Sequence, residues 1–149
     1  EGGSVRRLGT RDGLPEDDLR SLLVDSEGRL WIGCNHLGLA VQDGDVIRAV
    51  PLDLELNLEE VSGIVDDGHG HLWLSTAVGL IRLVREDVWG LFAGRTKRVR
   101  TLRLGAEDGL ESGTFLAHYP PAAAIDRAGT LWFPNLRGLV EVPEPAKAG

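Results

Sequence analysis

Short apolar runs recur along the chain, and each is bounded by glycine and polar residues. The first group comprises Leu19 to Val24, Leu30 to Ile32 and Leu39 to Val41. Runs of this length between turn residues are typical of β-strands joined by tight reversals. One run differs, because Val88, Leu91 and Phe92 have helical spacing. The pattern therefore predicts an all-β chain with one short helix near residues 86–93.

The strand groups are organised around a motif in which an Asp precedes a Gly by three residues and a Leu-Trp pair follows. Three copies occur: Asp25-Ser-Glu-Gly28-Arg-Leu30-Trp31, Asp67-Gly-His-Gly70-His-Leu72-Trp73 and Asp126-Arg-Ala-Gly129-Thr-Leu131-Trp132. Asp can hydrogen bond its own backbone in a tight turn, and Gly supplies positive φ. A Gly-Leu pair follows each copy and marks a second reversal. The repeat therefore predicts three equivalent antiparallel sheets.

The tryptophans of the three motifs are expected to pack between neighbouring sheets, because large aromatic side chains dominate core burial. Stacking on a ligand is the alternative. The strand before each motif has a small residue in the same register. These residues are Ser21, Gly63 and Ala122. They mark where strands are expected to crowd toward a common axis.

The first strand of the chain belongs to the end of a repeat. Residues 5–14 match residues 101–110 position for position, and the later segment ends the second repeat. We therefore expect one domain fragment over 1–149, in which residues 4–8 supply the fourth strand of the last sheet. The expected four-stranded sheets span about 14–50, 54–104 and 110–142, with strand 4–8 completing the last one.

The repeat length predicts the architecture. Trp31 and Trp73 are 42 residues apart, and four short strands in about 40–50 residues are typical of a β-propeller blade. Propellers usually close with 4–8 blades, so three blades form either an incomplete ring or half of a dimeric six-bladed ring. Because open sheet edges pair with other strands, self-association is expected.

The quoted motifs, preceded by Asp12-Gly-Leu-Pro15, resemble the two-component regulator propeller repeat. The segment Asp108-Gly-Leu110 and the run Leu131-Trp-Phe133-Pro134 resemble its last three blades. That repeat occurs in extracytoplasmic sensor regions of bacterial histidine kinases and hybrid two-component proteins. The resemblance implies a periplasmic, non-catalytic segment that senses a small, carbohydrate-like molecule. The alternative is a protein–protein interaction or oligomerisation module without such a ligand.

Composition narrows the choice of partners and chemistry. A net charge of -7 argues against nucleic-acid binding. No apolar run approaches the ~20 residues of a membrane helix, so no membrane insertion is expected for this segment. Cys34 is the single cysteine, and its position beside Gly33 favours a small core residue over a reactive thiol.

No cofactor or metal is expected. His69 and His71 lie beside Asp66 and Asp67, but residues of one turn converge poorly on a metal. A hydrolase or lyase that uses these histidines or His118 is a weaker alternative. The acidic pairs Asp17-Asp18 and Glu59-Glu60 could act as acid and base, but the sequence places no nucleophile near them. Strand order instead places ten loop residues at one mouth of the ring as ligand-binding candidates. They are Asp17, Asp18, Asn35, His36, Asn57, Glu59, His118, Tyr119, Asn135 and Arg137.

Overall fold

The computed structural model describes residues 3–51, 58–110 and 123–148. Within these ranges the chain forms three antiparallel sheets, here called blades 1, 2 and 3. Blade 1 contains β1 (Leu19–Val24), β2 (Leu30–Cys34), β3 (Leu39–Asp43) and β4 (Val46–Ala49). Blade 2 contains β5 (Gly63–Asp66), β6 (His71–Thr76), β7 (Gly79–Val84) and β8 (Thr101–Leu104). Blade 3 contains β9 (Ala124–Ile125), β10 (Leu131–Asn135) and β11 (Gly138–Val142).

The repeated Asp is the centre of each turn that joins the first two strands of a blade. One oxygen of Asp25 accepts the backbone N–H groups of Glu27 and Arg29, both at 2.9 Å, and the other accepts the Trp31 indole N–H at 2.8 Å. The same three bonds form around Asp67 and Asp126. The carboxylate therefore ties the turn to the tryptophan that the next strand places in the core.

Trp31 and Trp73 pack between blades, as the repeat predicted, whereas Trp132 is only half-buried. Trp31 lies in one apolar cluster with Leu72 and Leu74 of blade 2, and Trp73 lies in another with Leu131 and Phe133 of blade 3. Trp31 and Trp73 are fully buried. Trp31 and Trp73 thus face the following blade, and Leu72 and Leu131 face the preceding blade.

The inner strands of blades 1 and 2 approach each other closely at their small residues. The Ser21 hydroxyl donates to the Val61 carbonyl oxygen at 2.6 Å, and β1 contacts β5. A Cβ added at Gly33 would lie 2.1 Å from Ser21 Oγ and 2.7 Å from the Val61 oxygen. The predicted crowding is confirmed for Ser21. Gly63 lies in β5, which contacts β1, and Ala122 lies outside the described residues.

We expect Gly33→Ala to lower the free energy of unfolding by about 1–2 kcal/mol, because the new methyl group overlaps the neighbouring strand. Urea unfolding followed by circular dichroism measures the change. Gly3→Ala is the control, since a Cβ there meets nothing within 4 Å. Equal stability of the two variants would contradict the close approach of β1 and β5.

The single helix, α1 (Arg85–Phe92), follows β7 and packs against blade 1 as well as blade 2. The Trp89 ring lies 5.6 Å from that of Trp31, and the Arg29 guanidinium lies 4.3 Å above the Trp89 ring. Arg85 Nη1 contacts Asp66 of blade 2 at 2.9 Å and Asp25 of blade 1 at 3.6 Å. The helix near 86–93 is confirmed, and its role is to join two blades.

The N-terminal segment departs from its expected structure. Residues 3–9 form no strand, and blade 3 has three strands among the described residues, so strand 4–8 does not complete blade 3 within the chain. A strand needs a neighbouring edge, and the segment instead leads into blade 1, whose β4 already occupies the outer position. Exchange of residues 4–8 between two chains remains a prediction.

The loops that follow the two matched segments nevertheless fold alike. Thr10–Asp12 and Ala106–Asp108 each form one 3-10 turn. In each, the last Asp accepts the backbone N–H of the preceding Gly, at 2.8 Å for Gly9 and 2.9 Å for Gly105. The position-for-position match of residues 9–13 and 105–109 therefore corresponds to one local structure used twice.

Candidate functional site

Three loop segments meet at one end of blades 1 and 2. Residues 35–38 join β2 to β3, residues 77–78 join β6 to β7, and residues 58–62 lead into β5. The Glu60 N–H donates to the Asn35 carbonyl oxygen at 2.6 Å, and the Ala77 N–H donates to the Glu59 oxygen at 3.2 Å. We call this end of the blades the mouth. Residues 58–62 therefore connect the two other loops at the mouth.

The mouth of blade 1 carries a compact polar cluster formed by Glu16, Asp18, Asn35 and His36, here called the Asn35 cluster. Glu16 Oε1 accepts the backbone N–H groups of Asn35 at 2.7 Å and of His36 at 2.8 Å. Asn35 Nδ2 donates to Asp18 Oδ2 at 2.8 Å and lies 3.3 Å from His36 Nε2. The loop is thus held by two carboxylates from the segment that enters β1.

This loop is one residue longer than its equivalents in the other two blades. In blade 1 the turn glycine, Gly38, lies seven residues after the motif tryptophan. In blades 2 and 3 the turn glycines, Gly79 and Gly138, lie six residues after it. In the shorter turns a side-chain oxygen of Thr76 or Asn135 accepts the backbone N–H two residues later. Cys34 occupies that position in blade 1 and has no such oxygen. The Glu16 carboxylate supplies the acceptor instead.

Asn35 is the member of the cluster best placed to contact a ligand through an unused polar atom. The residue is 7% exposed, and its Oδ1 atom has no hydrogen-bond partner among the described residues. A buried acceptor without a donor costs about 1–3 kcal/mol. The His36 side chain beside it is 66% exposed. His36 is therefore the member of the cluster that a ligand reaches from solvent, and Asn35 lies buried behind it.

The surroundings of the cluster are negative and do not activate a nucleophile. Glu16 and Asp18 supply two carboxylates to the cluster, and the Glu60 backbone bonds to the Asn35 carbonyl oxygen. Burial, followed by the charge of Glu16, raises the pKa of the Cys34 thiol to about 11. The thiol is also fully buried. Cys34 is therefore a core residue, as the sequence predicted.

The structure brings Asp18, Asn35 and His36 into direct contact and places other candidates elsewhere. Asp17 accepts the Thr10 N–H at 3.3 Å and lines an open cavity of about 470 Å³ beside the 3-10 turn. Asn135 and Arg137 line an open cavity of about 370 Å³ on blade 3. Glu59 lies at the mouth, where its carbonyl oxygen accepts the Ala77 N–H. The other predicted residues, Asn57, His118 and Tyr119, lie outside the described part of the chain.

Sequence reasoning missed Glu16 and gave Glu60 only as a member of an acidic pair with Glu59. Glu16 lies directly before Asp17 and Asp18, and the sequence pattern drew attention to that pair instead. The Glu16 carboxylate nevertheless accepts two backbone N–H groups of the blade 1 loop. The longer loop was the available signal, because an extra residue exposes additional backbone N–H groups that need an acceptor. Glu60 has a positive φ of 54°, which is uncommon for a residue other than glycine. Nothing in the sequence indicated that backbone conformation.

The turns at the opposite end of the blades offer little chemistry. His71 Nδ1 lies 3.0 Å from Asp67 Oδ2, the atom that also accepts the Trp73 indole N–H. Among residues 3–51, 58–110 and 123–148, no group of three or more His, Cys, Asp or Glu side chains could hold a metal ion. No helix in these same ranges is long and apolar enough to cross a membrane. His71 thus stabilises a turn.

One family model matches a part of the chain that lies in blade 1. Residues 13–36 match the two component regulator propeller. The matched segment contains the loop entering blade 1, β1, the Asp25 turn, β2 and the whole Asn35 cluster. No curated protein sequence matches the chain.

Two solved structures share the propeller fold. The extracellular domain of a protein described as a hybrid two component system, BT3049 from B. thetaiotaomicron, superposes with a TM-score of 0.65 at 20% identity, over 89% of this chain and 16% of its own. The extracellular domain described as a one component system, BT4673 from the same organism, gives a TM-score of 0.59 at 17% identity, over 90% and 16%. This chain therefore spans about one sixth of either relative.

Proposed function

We propose that this chain is a ligand-sensing, non-catalytic segment of a propeller in a bacterial two-component signalling protein. One observation carries the proposal: the structures that share the fold over 89% and 90% of the chain are extracellular domains of proteins described as two component and one component systems. The regulator propeller match over residues 13–36 supports the same role. A periplasmic location is part of the proposal.

The Asn35 cluster is the proposed contact point for the ligand. Its carboxylates and the unpaired Asn35 oxygen are hydrogen-bond acceptors, so they favour a ligand rich in hydroxyl donors, such as a carbohydrate. A ligand that bound one arrangement of the blades more tightly than another would shift the equilibrium between them. That shift is the proposed signal to the rest of the protein.

Calorimetric titration of the chain with a panel of mono- and oligosaccharides tests the proposal. For a sugar that binds, we expect His36→Ala to weaken affinity about tenfold, because one hydrogen bond to a charged or polar group contributes roughly 1.5 kcal/mol. His69→Ala is the matched control, since His69 is exposed in the turn at the opposite end of the blades. If both variants weakened the sugar affinity equally, the sugar would not bind at the Asn35 cluster.

The second candidate function is a protein–protein interaction module without a small-molecule ligand. Exposed apolar side chains on the two outer faces of the three-blade array favour it, with Leu22, Val24 and Leu139 exposed by 65%, 64% and 65%. Exposed apolar patches mark protein–protein interaction sites. Absence of heat with every sugar, together with association measured in solution, would favour this candidate over ligand sensing.

A further inference from the structure

Positive charge is concentrated at the outer edge of blade 2. Residues 93–104, here called the basic edge, lead from α1 into β8 and contain five Lys or Arg residues and no acidic residue. Without those five cations, the chain has 11 Lys and Arg against 23 Asp and Glu, a net charge of -12. The basic edge is therefore the cationic part of an otherwise acidic chain.

The position of the basic edge in the blade keeps it accessible. β8 is the outer strand of blade 2, at the opposite side of the sheet from the inner strand β5. Neighbouring blades of a propeller cover the faces of a sheet and leave its outer edge open. The accessibility of the basic edge is therefore independent of the total number of blades.

The backbone of the basic edge is anchored by its uncharged residues. The Gly90 carbonyl oxygen accepts the backbone N–H groups of Arg95 at 2.8 Å and Thr96 at 3.2 Å. Thr96 Oγ1 donates to the Arg98 carbonyl oxygen at 3.2 Å. Val99 is buried in the apolar cluster between blades 1 and 2. The cations between these residues are thus held in one arrangement at the surface.

Most of the charge on the basic edge has no counter-charge. Arg100 is paired, because its Nε and Nη2 atoms donate to the two Asp87 carboxylate oxygens at 2.8 and 3.0 Å. Arg103 donates only to the Val78 carbonyl oxygen, at 3.3 Å, which carries no charge. The other three cations are exposed and form no ion pair with any residue of the described ranges. They are Arg95, Lys97 and Arg98.

The surroundings of the basic edge favour an anionic lipid surface over a protein partner. Protein interfaces usually have an apolar or aromatic centre, yet no large apolar side chain within residues 58–110 is exposed. A lipid surface needs no such centre, because its headgroup phosphates attract clustered Lys and Arg electrostatically. A guanidinium group also matches phosphate oxygens with two parallel N–H donors.

We propose that the basic edge is a contact surface for an anionic phospholipid membrane. The unpaired guanidinium and ammonium groups bind headgroup phosphates, while repulsion keeps the acidic remainder of the chain out of contact with the lipid. This inference goes beyond the proposed function, because attachment to lipid requires no sugar. Vesicle binding and sugar titration can therefore fail independently.

Co-sedimentation of the full chain with phospholipid vesicles at low ionic strength is the first test. We expect the chain to pellet with vesicles of phosphatidylglycerol and phosphatidylcholine in equal parts, but not with vesicles of phosphatidylcholine alone. Salt at about 1 M should release it, because the Debye length is then about 3 Å. Equal binding to both vesicle types, or binding to soluble polyglutamate without binding to anionic vesicles, would overturn the proposal.

Charge removal locates the contact on the chain. The triple variant Arg95→Gln, Lys97→Gln, Arg98→Gln should weaken binding to the anionic vesicles about a hundredfold, because each Lys or Arg near an anionic surface contributes roughly a fivefold factor. Unchanged binding by this variant would overturn the proposal.

A second triple variant is the matched control. Arg6→Gln with Arg11→Gln and Arg127→Gln removes the same three charges from exposed positions outside the basic edge. Its affinity for the vesicles should stay within about threefold of the native value, because charges farther than about a Debye length from the lipid are screened. Equal weakening by the two triple variants would show that total charge, rather than the basic edge, determines binding.

Added charge gives a readout that does not depend on a loss of binding. Thr101 is exposed in β8 and shares a face of that strand with Arg103. Thr101→Lys should strengthen binding to the anionic vesicles about fivefold, and Thr101→Glu should weaken it by about the same factor. Equal vesicle binding by these two variants would place the contact outside the basic edge and overturn the proposal.

Discussion

Trp73→Ala is expected to lower the free energy of unfolding by about 3–5 kcal/mol, the largest effect that we expect of any single substitution in this chain. The Trp73 side chain is fully buried between blades 2 and 3, in one cluster with Leu131 and Phe133. Its removal creates a cavity between two rigid sheets and leaves Asp67 Oδ2 without the indole donor. Urea unfolding followed by far-ultraviolet circular dichroism measures the loss.

Trp132→Ala is the matched control for this prediction. Trp132 makes the same hydrogen bond to its turn aspartate, at 3.0 Å, but it is only half-buried because none of the described blades covers its outer face. We expect a loss of about 1 kcal/mol, as for substitutions outside a packed core. Both unfolding experiments should be made at protein concentrations at which the chain is monomeric. Equal losses would contradict packing of Trp73 between the blades.

The repeat made the fold predictable because local and tertiary signals agree within it. The Asp-x-x-Gly turn, the β-rich Leu-Trp run and the second Gly-Leu reversal each specify backbone geometry over a few residues. β1 has the predicted bounds at Leu19–Val24, and α1 lies within one residue of its prediction. The propeller architecture was predicted from the three copies of the motif and from the 42 residues between the first two tryptophans, Trp31 and Trp73.

The N-terminal strand was less predictable, because strand formation depends on an available neighbouring edge. Residues 5–8 have the composition of β8, yet the edge that could accept them within blade 1 is already filled by β4. Sequence identifies a segment that can form a strand, but it does not identify the chain that supplies the partner. That information lies in the tertiary or quaternary structure.

The candidate site was predictable in position but not in detail. Strand order placed Asp18, Asn35 and His36 at one mouth, and they contact one another there. Strand order could not show that Asp18 contacts the cluster while Asp17 does not. The Asp17 side chain accepts the Thr10 N–H, and the Asp18 side chain accepts the Asn35 amide. Nor could strand order assign the capping role to Glu16, which depends on where the longer loop directs its backbone N–H groups.

The turn aspartate of blade 2 provides the second large effect and a pH dependence. Asp67→Asn is expected to lower the free energy of unfolding by about 2–3 kcal/mol at neutral pH, because an amide N–H₂ cannot accept the buried Trp73 indole N–H. Burial alone would raise the pKa of Asp67, but hydrogen bonds from the His69 backbone, the Trp73 indole and His71 hold this pKa below its ordinary value. The folded protein therefore favours the ionised carboxylate.

A carboxyl group with a lowered pKa in the folded state stabilises the fold above its unfolded pKa, which is about 3.9 for Asp. That contribution declines as the pH falls below about 4 and is lost once the folded-state pKa is passed. Urea midpoints of the native chain and of Asp67→Asn should therefore converge on acidification. Asp126→Asn, which removes the same bonds at an exposed turn, should cost less because solvent can replace them. A difference between native and Asp67→Asn that stays constant from pH 7 to pH 2 would show that the carboxylate charge does not stabilise the turn.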